Sequence, residues 1–423
     1  MPVKTSKNFI LFITIACAIA ILPPCAFGGV VTPTKQSAAP IRSHNAYDYF
    51  VAAGKLARES NRDAQVERAG GWTPESGSPH KYTLAEKMAI LKANEPALSL
   101  ARQGFPYPFT PPSGTNPPND QARNIPGFAS FRHLARLLRF EAQVRAERGD
   151  WAGAMESDLD AIQLGEMSAH GGDVITKLVG EAVVGIGRVG MWDITPHLNA
   201  AQAKHAAARL DEIEKHREPL ANVMRTEKSS SRLMLESMLT EIEKQKKKYS
   251  KREFQEQGVN IDAVNPARLR LAQTRAMDYD IAIASKPYDL RSKDIADADP
   301  SGLIYIPSGT KLKFRDTLSI AEAELLRATL GLQVYHEKFG RYPASLTLLT
   351  PSILAKAPID PFARDAPLRY RLQNGGYLLY SVGPDTKDDG GAPIKNEAAK
   401  TDKAKALVLQ NSPGDIIAGV NKN

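Results

Sequence analysis

The sequence predicts an α+β protein: a mainly α-helical N-terminal bundle, then a small C-terminal domain in which a long helix lies on a short antiparallel sheet. Three observations predict it. Apolar residues recur at three- and four-residue spacing through most of 128–249. A second amphipathic stretch, Thr317 to Phe339, places Leu318, Ala321, Leu325, Ala328, Leu332 and Tyr335 on one stripe and stops at Gly340. Beyond it, β-like runs such as YLLYSV alternate with turn signals, among them Asn374-Gly375-Gly376.

The N-terminus reads as an address. Lys4 and Lys7 precede an apolar run from Phe9 to Leu22, then come two prolines and the small residues Ala26 and Gly28. A straight helix needs roughly 20 apolar residues to cross a bilayer, so residues 1–28 are expected to be a secretory signal peptide or an N-terminal anchor. Cys17 and Cys25 both lie inside this segment. The exported chain then carries no disulfide and no thiolate ligand. Its formal charge of +8 falls to +6 without Lys4 and Lys7, and the cations are dispersed, which implies no nucleic-acid partner.

Residues 29–127 are expected to hold two helices, Tyr47 to Glu59 and Leu84 to Gln103, and a long loop. Seven prolines between Pro106 and Pro126 argue against regular structure there, and Phe105, Tyr107 and Phe109 are expected to pin the loop onto neighbouring helices. Residues 128–252 form the predicted bundle. Its segment RGDWAGAMESDLDAIQLG looks like the second helix of a tetratricopeptide-type hairpin, but no copy recurs at the 34-residue interval, so an irregular bundle is expected. Residues 253–316 read as a connector, and 317–423 as the α+β domain.

Two patterns in the bundle imitate function. Gly185-Ile186-Gly187-Arg188-Val189-Gly190 has the spacing of a dinucleotide-binding turn, which works only between a strand and the helix it opens. Here it interrupts a helical pattern, so close helix packing is the expected role. The run Lys244 to Arg252 is interleaved with acids and is expected to be a solvated helix end. The eight histidines show no metal-ligand spacing, and no GxSxG nucleophile turn appears.

In the tail, an amphipathic helix is followed in order by GRYPASLTLL, the proline-bounded LAKAPIDPF, PLRYRL and YLLYSVGPDTKDDGG. Over roughly 321–417 this resembles the globular C-terminal domain of the major pseudopilin of type II secretion. The resemblance implies a helix across a small antiparallel sheet and a calcium ion in the acidic loop, with Ser381, Asp385, Asp388 and Asp389 as candidate ligands. A hard cation that takes six to eight oxygens suits such a loop. The alternative is a solvated Asp-Gly turn screened by Lys387 and Lys395. The N-terminus lacks the family's peptidase motif and its glutamate, so the resemblance does not extend to polymerisation into a pilus.

The expected function is that of a non-catalytic exported envelope protein. It would bind another envelope protein as a scaffold, in a secretion or pilus-type setting, and touch a membrane only through an uncleaved N-terminus. The alternative is an exported hydrolase acting on an envelope polymer, with Asp278, Asp280 or Glu181 among its acids.

Overall fold

The computed structural model describes residues 43–58, 62–71, 81–112, 121–256, 259–294, 307–395 and 407–420. The expected signal segment lies outside them. Among the described residues, no helix is long and apolar enough to cross a membrane.

The first layer consists of α1 (Ala46–Arg58), α2 (Arg62–Ala69), α3 (Leu84–Gly104) and α4 (Gln121–Glu147). Thr83 and Glu86 close a capping box at the start of α3, each side chain accepting from the other residue's backbone N–H. The aromatic loop folds back on these helices. Tyr107 stacks on Tyr49 at 5.4 Å, and Phe109 meets Tyr47, Phe50 and Phe131. Regular structure resumes earlier than the prolines suggested: α4 starts at Gln121 and runs through Pro126, whose missing N–H removes one hydrogen bond close to the helix start.

Helices α5 (Trp151–Ser168), α6 (Val174–Ile194) and α7 (Ala200–Lys215) form the centre, entered through the N-caps Asp150, Asp173 and Asn199. The glycine pattern sits inside α6. A Cβ on Gly187 would lie 2.5 Å from the Asp158 carbonyl oxygen of α5, so a side chain there would force the two backbones apart.

The described part of the expected connector is largely helical. Helix α8 (Leu220–Gln245), the short α9 (Lys251–Glu256) and α10 (Pro266–Ala284) make a hairpin with its own small core of Leu235, Leu239, Ile242, Phe254, Val259 and Leu269. The heavily charged face of α10 hid its period, because only tertiary pairing with α8 makes its thin apolar stripe a helix signal. At the hairpin's tip, Lys244, Lys246, Lys251 and Arg252 pair with Glu241, Glu243, Asp262 and Glu256.

Helix α11 (Gly309–Phe339) begins eight residues before the expected Thr317, with Ser308 as its N-cap accepting from Lys311 N–H, and ends in a left-handed Gly340. Strands β1 (Ile359–Asp360) and β2 (Ala366–Pro367) form one antiparallel pair. Strands β3 (Arg369–Gln373), β4 (Gly376–Ser381) and β5 (Ile416–Ile417) form a second sheet in the order β3-β4-β5. The turn between β3 and β4 uses positive φ at Asn374 (50°) and Gly375 (77°), which suits the twist of a two-residue hairpin. The protein is thus mainly helical, with a small antiparallel sheet near the C-terminus. The expected boundary between bundle and tail is not a break in packing: one core runs from Leu159, Val184 and Leu210 through Leu325 and Leu326 to Phe362, Leu379 and Ile416.

Gly187→Ala tests the helix contact. Glycine to alanine inside an exposed helix stabilises by about 1 kcal/mol. Here the carbonyl reverses the sign, and a loss of about 1–3 kcal/mol is expected in urea unfolding. An unchanged or higher midpoint would mean that α5 and α6 are not in contact at this point.

Candidate functional site

The acidic loop leaves β4 with its charges already answered by protein groups. Asp388 accepts from Arg369 Nε at 2.9 Å, from the Tyr380 hydroxyl at 2.9 Å and from Gly390 N–H at 3.1 Å. Burial disfavours its charge, but Gly390, Arg369 and Tyr380 outweigh that and hold its carboxyl below the usual range. Asp385 turns back onto Lys387 N–H, and the Asp389 side chain is exposed. Ser381 is fully buried and donates its Oγ proton away from the loop, to Asp360 Oδ1 at 2.7 Å.

These four residues therefore do not fit a calcium cage. They point to different partners, and among the described residues no group of three or more His, Cys, Asp or Glu side chains could hold a metal ion. What organises the region is a pair of buried aspartates outside the acidic run, Asp360 and Asp415. Asp360 accepts from Ser381 Oγ, Val382 N–H (2.8 Å) and Phe362 N–H (3.1 Å). Asp415 accepts from Gly391 N–H at 2.7 Å and Asp389 N–H at 3.4 Å. Asp360 had a local signal in Asp-Pro-Phe, a turn in which the carboxylate reaches the amide two residues on. Asp415 had none, since its partners lie in a loop more than twenty positions earlier in the chain.

The acids considered for hydrolysis are dispersed. Asp278 is exposed and paired with Lys228. Asp280 lies buried against Gly309 at the start of α11, and burial followed by the Asp294 charge pushes it up to about 7. Glu181 belongs to a buried network between the bundle and α11. At its centre Arg217 reaches Glu166 at 2.9 Å, Asp316 at 3.1 Å and Glu214 at 3.5 Å. Lys177 pairs with Asp316 at 3.2 Å, Arg315 with Glu181 at 3.4 Å and Arg188 with Glu322 at 2.6 Å, while Arg188 and Arg217 both donate to Ser319 Oγ. Burial and then the Glu166 charge push Glu214 up to about 7, against the pull of Arg217 and Arg188.

Two surface features remain. Between α3 and α4 lies an open groove of about 670 Å³, with Met88 and Leu91 on its wall and Arg102 and Arg145 on its floor. Of its two acids, Glu95 and Glu141, Glu141 is clamped by Arg102 (2.6 Å) and Arg145 (2.9 Å) and accepts from Ser157 Oγ at 3.0 Å, so its lone pairs are occupied. At the far end of α11, half-exposed rings form a shelf that continues onto the sheet. Tyr335 meets Phe339 at 4.5 Å, His336 stacks on Tyr342 at 4.6 Å, Tyr342 meets Tyr377 at 4.8 Å, and Tyr377 lies 6.0 Å from Tyr370. Phe339 is 58% exposed and Leu372, beside Tyr370 on β3, is 53% exposed. Of this shelf only Tyr335 carries a signal in the sequence, as a member of the α11 stripe. Comparison of the chain with protein-family models, with curated proteins and with solved structures finds no match.

Asp360→Ala strands one hydroxyl and two amides in the interior and is expected to cost about 2–4 kcal/mol. Asp388→Ala, at an exposed ion pair, is expected to cost less than about 1 kcal/mol. Thermal unfolding with calcium and with chelator is expected to superimpose. Equal losses for the two variants, or a calcium-dependent rise in Tm, would contradict this assignment of roles.

The folded chain holds a proton on Glu214 that the unfolded chain releases near the ordinary value of 4.5. That contribution is complete below pH 4.5 and declines as pH rises through 7. Asp316 has the opposite sign: burial opposes its charge, but Arg217 and Lys177 outweigh it, so its share is lost as pH falls. Glu214→Gln is expected to remove on the order of 2 kcal/mol of the decline between pH 5 and 7.5. Urea titrations across that range check it, and an unaltered slope would contradict it.

Proposed function

We propose that the protein is a non-catalytic, exported envelope protein that binds another protein, acting as a scaffold in a secretion or pilus-type assembly. The observation that carries this reading is the aromatic shelf. Tyrosine and phenylalanine supply large contact area for little side-chain entropy, and interfaces are enriched in them and in arginine. Here Tyr335, Phe339, Tyr342, Tyr370 and Tyr377 stand together on elements fixed by a continuous core, while Arg369 and Arg371 alternate with Tyr370 on the opposite face of β3. The order of a long helix and a small antiparallel sheet is compatible with the pseudopilin resemblance. The signal-like residues 1–28 support export.

A photo-crosslinking residue at Phe339, compared with one at Leu233 on the far hairpin, tests the reading in cells that export the protein. A discrete protein adduct is expected at Phe339 and none at Leu233. Absence of an adduct at Phe339, or hydrolysis of an envelope polymer by the purified chain, would overturn it.

A further inference from the structure

Strand β3 is an edge of the three-stranded sheet. Its register with β4, in which Gln373 faces Gly376 across the two-residue turn, makes Arg369, Arg371 and Gln373 the residues that exchange backbone hydrogen bonds with β4. The N–H and C=O groups of Tyr370 and Leu372 therefore point away from the sheet. The same alternation holds on β4, where the outward Leu379 carbonyl accepts from Ala418 N–H at 3.0 Å on the β5 side. Among the described residues, no backbone or side-chain hydrogen bond reaches the outward groups of Tyr370 or Leu372.

The two faces flanking this edge differ in chemistry. Tyr370 and Leu372 lie on the face of the aromatic shelf, with Tyr377 and Tyr342. Arg369 and Arg371 lie on the other face; Arg369 is paired with Asp388 at 2.9 Å, and among the described residues the exposed Arg371 donates only to the Gly390 carbonyl at 3.1 Å, so its charge is the one left without an acid. A second copy of the chain is a poor occupant. The antiparallel register that would use both outward residues sets Arg371 directly opposite Arg371 of the copy, and like charges in that position repel.

We propose that the β3 edge captures an extended segment of a partner protein in which apolar and acidic residues alternate. Resting on the reading of the protein as a binder, this assigns the mode and the chemistry of binding. The peptide backbone pairs with the outward groups of Tyr370 and Leu372, its apolar side chains lie on the shelf, and a carboxylate faces Arg371.

A fluorescent, acetylated heptapeptide alternating valine and aspartate, titrated into the full chain, tests the proposal against the same peptide with lysine for aspartate. Saturable binding is expected, at least tenfold tighter for the aspartate peptide and weakened by salt. Leu372→Pro removes an outward N–H and no bond to β4, so it is expected to weaken binding at least tenfold with little change in Tm. Methylation of alternate peptide amides interrogates the same bonds without altering the protein and is expected to do likewise. Arg371→Glu is expected to shift the preference toward the lysine peptide. No saturable binding, or binding indifferent to charge and to amide methylation, would overturn the proposal, and self-association through β3 in place of peptide binding would overturn it too. If the Phe339 adduct persists in Leu372→Pro while the peptides fail, strand addition falls and the binding reading survives. If no Phe339 adduct forms in the parent either, the binding reading falls as well.

Discussion

Arg217 sits in the turn between α7 and α8 and is buried among Glu166, Asp316 and Glu214. Burial alone would weaken its charge, but these acids hold its proton far more firmly than usual. Because charges taken out of water must be compensated where they stand, this cluster and the apolar core around it constrain how α11 meets the bundle. With Lys177 and Arg188 it ties Asp316 and Glu322 of α11 to α6, and through Glu166 to α5. Removing one partner from such a pair strands a buried charge, typically at a cost of about 3–5 kcal/mol. The apolar core that continues through α11 to Phe362, Leu379 and Ile416 carries the tail on from there.

The tail repeats the principle with shorter-range bonds. Its strands are short, and a sheet of this size gains little from its ladder alone. Buried aspartates make up for it: Asp360 binds the β1 end to Ser381 and Val382, and Asp415 collects the amides of the loop at Asp389 and Gly391. Tyr288, from the chain just after α10, adds a cross-tie, donating to the Pro384 carbonyl and resting on Phe362. The buried acids Asp360, Asp415, Glu166 and Asp316 thus serve the architecture.

The aromatic shelf is coherent with a binding role. Rigid elements carry the shelf at the end of α11, and the adjoining β3 edge keeps two pairs of backbone groups turned outward. A partner that meets such a surface finds pre-ordered rings and a template strand, so the ordering cost falls mainly on the partner.

Much of the fold was legible locally. The stripe from Leu318 to Tyr335, the stop at Gly340 and the turn at Asn374-Gly375 follow from side-chain period and backbone freedom, which belong to neighbouring residues. The role of the α6 glycines was legible for the same reason. The site was less so. Asp385, Asp388 and Asp389 are close in sequence, while the side chains that bond this loop, Arg369 and Tyr380 to Asp388 and Asp415 to the Asp389 amide, come from other parts of the chain. The Arg217 network joins residues from 166 to 322, and the shelf joins the end of α11 to two strands. By itself the sequence determined which segments could be helix, turn or strand. Only the tertiary structure decided which charges cancel and which edge stays open, because electrostatics and burial act through distances that chain order does not encode.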